Sequence, residues 1–197
     1  MRRERGFTLI ELAIVLVIIG IIIGMVLKGQ DLIQNARMKK LVNEVRKWEV
    51  ALWTCFDRKG KFPGDSNNDG IIDSDPKGGS DSCWTNLAQA PTSNTVQLGS
   101  YTFYIYPGSD TSNRNVIAVC GDSNCGTVTG DETYADYLRN LDIAFDGEVS
   151  ATAGVVRALS GGTANSGSGI ITSATAATSG DWTSTTKGAL YYFDRKP

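Results

Sequence analysis

The sequence predicts an α+β fold, in which a long N-terminal α-helix packs on a small antiparallel β-sheet head. Three patterns lead to this prediction: an apolar run near the N-terminus, an amphipathic helical pattern directly after it, and then short segments rich in β-branched and aromatic residues. We expect one helical spine over residues 7–59, membrane-spanning over 7–27 and amphipathic afterwards. A globular α+β head over residues 60–197 should follow it.

Composition narrows the possible functions. The chain of 197 residues has 19 basic and 21 acidic residues and no histidine. The lack of a basic excess argues against nucleic acid as the main partner, because binding to phosphates needs a basic surface. The absence of histidine excludes Ser-His-Asp and Cys-His catalysis and His-ligated metal sites. Catalysis by a pair of carboxylates is compatible with the composition, but no nucleophile motif is present and we expect no enzyme.

The apolar run is long enough to cross a membrane. Phe7–Leu27 contains 21 residues, and its one charged side chain is Glu11. A helix of this length spans about 30 Å, the thickness of the hydrocarbon core. Three arginines lie within Met1–Arg5, whereas the rest of the chain carries a net charge of −4, which predicts a cytoplasmic N-terminus and an exported head. There are two alternatives. A secretory signal peptide would be shorter and would end in a small-residue cleavage site, which is missing here. A plain membrane anchor explains the length and the orientation, but not the carboxylate near one end of the span.

A carboxylate inside this apolar run is costly without a partner, so Glu11 is a candidate functional residue. The segment Gly6–Glu11 reads G-F-T-L-I-E and follows a short basic leader. It resembles the prepilin cleavage and methylation motif of type IV pilins and type II secretion pseudopilins. The resemblance implies that residues 1–6 are a leader, that a prepilin peptidase cuts between Gly6 and Phe7, and that the Phe7 amine is methylated. It also implies that Glu11 of one subunit neutralises the Phe7 amine of a neighbour.

The same resemblance implies a pilin-like fold and a structural subunit of a type IV pilus or a type II secretion pseudopilus. Such a subunit would form a homo-oligomeric helical filament, with the prepilin peptidase and a pilus or secretion assembly platform as further partners. It would cross the bacterial inner membrane once before assembly, and would then join an extracellular pilus or a periplasmic pseudopilus. The alternative is a minor pilin or adhesin whose head binds a surface, DNA or secreted cargo.

The amphipathic pattern predicts that the helix continues beyond the membrane. Apolar side chains recur every three or four residues from Leu41 to Phe56, and this face should pack on the head. Gly60 and Pro63 should end the helix at Lys59.

The head contains a mixture of strand, helix and turn signals. Segments with strand composition are Tyr101–Tyr106, Asn115–Cys120 and Leu190–Phe193, with a weaker one at Gly154–Leu159. Apolar spacing predicts a helix between Asp131 and Phe145, with a capping box T-G-D-E that begins at Thr129. The tract 160–187 is rich in Ser, Thr, Gly and Ala, and is either a disordered linker or an ordered surface loop. We favour the loop, because the chain then reaches a cluster of aromatic residues.

Residues 65–75 read D-S-N-N-D-G-I-I-D-S-D, a close match to the calcium-loop pattern D-x-N-x-D-G-x-I. In such loops oxygens at alternate positions converge on one ion. Pro76 stands where a bidentate glutamate would complete the loop, so Asp75 or Asp81 would supply that carboxylate. The alternative is an acidic surface turn, because Asp, Asn and Gly are common in turns. We predict a Ca²⁺ site of modest affinity with the ligands Asp65, Asn67, Asp69, the Ile71 carbonyl, Asp73 and Asp75.

The four cysteines all follow the apolar run, so they should be exported into an oxidising space and form disulfides. Four cysteines allow three pairings. We favour Cys120–Cys125, which closes a short loop, and Cys55–Cys83, which ties the end of the spine to the chain after the acidic loop. The alternative is that the cysteines bind zinc, but the sequence has no C-x-x-C pair and no histidine.

Overall fold

A computed structural model describes residues 8–78 and 82–194, except for the side chain of Ser82. The fold is α+β, as predicted. The chain divides into two units, the first ending at Arg37 and the second beginning at Met38. Helix α1, Leu9–Lys59, contributes to both units and ends at the predicted residue.

In the first unit, α1 is long and apolar enough to cross a membrane. Its large apolar side chains from Leu9 to Leu27 are 46–88% exposed. In the second unit, α1 buries one face against the head. The buried side chains on this face lie three or four positions apart, as the amphipathic pattern predicts, and they are Leu41, Val45, Trp48, Ala51, Leu52 and Cys55.

The head contains two further helices and six strands within the described residues. The helices are α2, Ser82–Thr85, and α3, Glu132–Asp146. The strands are β1, Thr95–Leu98; β2, Tyr101–Asp110; β3, Asn115–Cys120; β4, Val156–Asn165; β5, Ile170–Ala176; and β6, Gly188–Tyr192. Their order is β1-β2-β3-β6-β4-β5, with antiparallel pairing between neighbours.

A further pairing closes this sheet into a ring. Strand β5 also pairs with β2, in parallel, through Gly108 and Ile171. The ring therefore runs β2-β3-β6-β4-β5, and β1 extends it from β2. Residue 108 must be a glycine, because a Cβ atom there would lie 1.8 Å from the Ile171 carbonyl oxygen.

Two hydrophobic clusters lie on opposite faces of the ring. The outer cluster joins α1 and α3 to the ring, and β2 contributes Phe103 and Ile105 to it. The inner cluster draws side chains from all five ring strands and none from a helix, and β2 contributes Tyr106. Alternation along β2 therefore sends successive side chains to different cores, as strand geometry requires.

Two predictions about the head are wrong. The tract 160–187 was predicted to be a surface loop that leads to the last strand. Instead it contains most of β4 and all of β5. Inside the ring this tract contributes the small side chains Ala164 and Ala174 beside Ile171, and its exposed residues are mostly Ser, Thr and Gly, so these strands have the composition of a linker. The capping residue of α3 is Asp131, not Thr129: the Asp131 carboxylate accepts a hydrogen bond from the Thr133 amide.

Candidate functional site

The N-terminal site is built around the first turn of α1. The Glu11 carboxylate accepts hydrogen bonds from the Thr8 amide and the Thr8 hydroxyl, both at 2.8 Å, through the same oxygen, Oε2. The Glu11 amide donates in return to the Thr8 hydroxyl at 3.3 Å. This is a capping box, in which Thr8 caps the helix and Glu11 occupies its third position. The sequence T-L-I-E carries the signal, which the sequence analysis did not use.

These hydrogen bonds orient Glu11 but supply no positive charge beyond the partial charge of the helix N-terminus. Its second carboxylate oxygen, Oε1, receives no hydrogen bond from the described residues, and the side chains along this stretch of α1 are exposed. The site is therefore open to a cation from outside the described residues. Gly6 and Phe7, the predicted processing residues, lie outside the described residues.

The acidic loop is organised by Asp65. This side chain is buried, with 3% of its surface exposed. Its Oδ1 accepts from the amides of Asn68 at 2.7 Å and Asp69 at 3.3 Å. Its Oδ2 accepts from the Gly70 amide at 2.9 Å. The loop thus folds around one buried carboxylate that accepts three backbone hydrogen bonds.

The other predicted calcium ligands make similar local bonds. Asp69 accepts from the Ile71 amide and the Asn67 side-chain amide, both at 2.9 Å. Asp73 accepts from the amide and the hydroxyl of Ser66. Asp75 turns away from the loop, toward the Lys77 amide. Among the described residues, no three His, Cys, Asp or Glu side chains group closely enough to hold a metal ion.

Calcium coordination would require these side chains to converge on one ion, which they do not do among the described residues. The Ca²⁺ site stays a prediction.

One residue that the sequence analysis missed anchors the acidic loop to the sheet. The Asn115 side chain, at the start of β3, accepts from the Ile72 amide and donates to the Gly70 carbonyl, both at 2.8 Å. Asn115 is 1% exposed and Ile72 is fully buried. No local pattern in the sequence joins positions that are 43 and 45 residues apart.

Both predicted disulfides are present. Cys55–Cys83 joins the last turns of α1 to α2, and Cys120–Cys125 closes a short loop after β3. The first of these bonds encloses the acidic loop between its two cysteines.

The comparisons with known proteins bear on the N-terminal site. Residues 1–27 match the family model described as the prokaryotic N-terminal methylation motif. This chain carries a prepilin-type N-terminus. The motif is the hallmark of type IV pilins and pseudopilins, and the match ends inside the apolar half of α1. No curated protein and no solved structure matches the chain.

Proposed function

We propose that the protein is a structural subunit of a type IV pilus or a type II secretion pseudopilus. The observation that carries this proposal is the exposed apolar half of α1, which has one carboxylate, Glu11, in its first turn and lies within the match to the prepilin-type motif. An apolar surface of this extent is stable only when lipid or other apolar side chains cover it. The bilayer would cover it before assembly, and the helices of other subunits would cover it in a filament.

The proposal also assigns roles to the residues of the motif. A prepilin peptidase would cut between Gly6 and Phe7, leaving a methylated Phe7 amine. Glu11 would then pair with the Phe7 amine of a neighbouring subunit, because a carboxylate and an amine in an apolar environment are tolerable only together. The subunit would cross the inner membrane once before it enters the filament, with its head exported.

The test is Glu11→Val, which removes the carboxylate and makes the apolar run more apolar. We expect normal membrane insertion and normal processing, because both depend on the leader and the apolar run. We expect filament formation to be lost, because the neighbour's amine has no counter-charge. Membrane fractionation and electron microscopy of filaments from cells separate the two outcomes.

The matched control is Asp31→Val, which removes an exposed carboxylate from α1 outside the apolar run. This variant should assemble like the wild type. Normal filaments from Glu11→Val would show that the Glu11–Phe7 pairing is wrong. Loss of filaments from both variants would show that the effect is not specific to Glu11.

A further inference from the structure

One end of the strand ring opens into a polar cavity. At this end of the ring lie the C-terminal ends of β2, β5 and β6 and the N-terminal ends of β3 and β4. We call this cavity the barrel mouth; its volume is about 390 Å³, and its lining includes Asp110, Arg114, Arg157, Thr175 and Tyr192. Mouths of β-barrels are common ligand sites, and this volume is in the range of small-molecule pockets.

One of the two arginines in the barrel mouth is already neutralised. Asp110 is 4% exposed, and its Oδ2 accepts from Arg114 Nη2 at 2.6 Å and from Arg114 Nε at 2.8 Å. Its Oδ1 accepts from the amides of Ser112 and Arg114, each at 2.8 Å. The Asp110 carboxylate is therefore fully occupied by Arg114 and the turn between β2 and β3.

The second arginine has no such partner. The Nε of Arg157 donates to the Gly154 carbonyl at 3.3 Å. Within the part of the chain that the structure describes, no carboxylate lies at ion-pair distance from Arg157. The barrel mouth thus holds one carboxylate and two guanidinium groups, and it carries one uncompensated positive charge.

Tyr192 packs against Arg114 and lines the same cavity as Arg157. The Arg114 guanidinium lies 4.9 Å from the centre of the Tyr192 ring. Burial and the Asp110 carboxylate raise the pKa of Tyr192. The positive charges of Arg114 and Arg157 both oppose this rise. Threonine hydroxyls complete the wall at positions 111, 152, 175 and 178. A half-buried guanidinium beside several hydroxyls is suited to a planar or tetrahedral oxyanion.

We propose that the barrel mouth binds a small ligand with one oxyanionic group, a carboxylate, phosphate or sulfate, and that Arg157 is its charge partner. The bound oxyanion would replace the water lost from Arg157 and balance the charge that Asp110 leaves unmatched. Arg114 holds the wall in place through Asp110 and Tyr192. The threonine hydroxyls donate hydrogen bonds to the oxyanion or to the rest of the ligand.

The test is titration calorimetry on the full chain in detergent micelles. The probes are inorganic phosphate, inorganic sulfate, a hexuronate and, as a neutral control, the corresponding hexose. We expect at least one oxyanionic probe to bind, the hexose not to bind, and added salt to weaken binding. The preferred probe then distinguishes a phosphate, sulfate or carboxylate ligand.

Variants identify the residue. Arg157→Gln should weaken binding roughly tenfold or more, the loss expected for a charge-assisted hydrogen bond. Arg157→Lys keeps the charge but loses the fork geometry, and should be intermediate. Arg58→Gln, which removes an exposed arginine from the last turn of α1, should bind like the wild type.

Near-ultraviolet circular dichroism checks that each variant is folded. Two results would overturn the proposal: no heat with any oxyanionic probe at millimolar concentration, or equal affinities for the wild type and a folded Arg157→Gln variant.

Discussion

Asp142 on α3 should make the stability of the head depend on pH. Its side chain is fully buried, and its Oδ2 accepts from the Ser150 amide at 2.6 Å and from Trp182 Nε1 at 2.9 Å. Its Oδ1 is buried and receives no hydrogen bond from the described residues. Burial raises the pKa of Asp142 from 3.8 to about 6; the two hydrogen bonds oppose the rise, and the Asp146 carboxylate adds to it. A protonated Oδ1 would provide a donor where the ionised form has an unsatisfied acceptor.

The sign of the effect follows from the raised pKa. Below about pH 4, Asp142 is protonated in the folded and the unfolded chain, so its full contribution to stability is present. As the pH rises from 4 to 6, the unfolded chain loses the proton first, and the free energy of unfolding falls. Above the folded-state pKa the loss is complete. A shift of about two pKa units corresponds to about 3 kcal/mol.

The perturbation is Asp142→Asn, which keeps the acceptor for Ser150 and Trp182 but cannot ionise. We expect this variant to match the wild type near pH 4 and to exceed it by about 3 kcal/mol near pH 8. The assay is urea unfolding of the full chain in detergent, followed by tryptophan fluorescence at several pH values. Asp181→Asn, which changes an exposed carboxyl group beside Trp182, should keep the wild-type pH dependence. Equal pH dependence in Asp142→Asn and the wild type would refute the reasoning.

Two further predictions concern the acidic loop and the disulfide that encloses it. The double substitution Cys55→Ala with Cys83→Ala should lower the free energy of unfolding by about 3–4 kcal/mol, because it frees a long loop in the unfolded chain; unchanged urea unfolding without reductant would contradict this. Calcium at a hundred times its dissociation constant should stabilise the head by about 2.7 kcal/mol, and Asp69→Ala should abolish the effect. Equal melting midpoints with calcium and with chelator would leave the acidic turn as the correct interpretation.

The sequence predicted the parts of the fold that have local signals. The apolar run, the buried face of α1 and the end of that helix depend on residue spacing within a few turns, so periodicity identified them. Strand β3 was predicted with the bounds that the structure gives, because its β-branched residues lie between turns. Both disulfides were predicted, since short loops and chain order favoured one of three pairings.

Features that depend on distant contacts escaped the sequence analysis. The ring closes where Gly108 meets Ile171, and no pattern within β2 announces a parallel partner so far along the chain. Strand β5 was missed because, after its two isoleucines, it consists of Thr, Ser and Ala, which are also common in linkers. The barrel mouth also escaped, because Arg114 and Arg157 lie 43 residues apart in the sequence and come together only when β3 and β4 both pair with β6. The prepilin-type motif was found because its residues are contiguous.

The most direct test of the proposed function is tandem mass spectrometry of the N-terminal peptide. The protein should be recovered from surface filaments, or from the periplasmic assembly if no surface filaments form. Processing as proposed predicts a mature chain that begins at Phe7 and carries a methyl group on its amine. Assembled protein that still begins at Met1 would contradict the proposal, because the leader would then remain on a subunit that had already left the membrane.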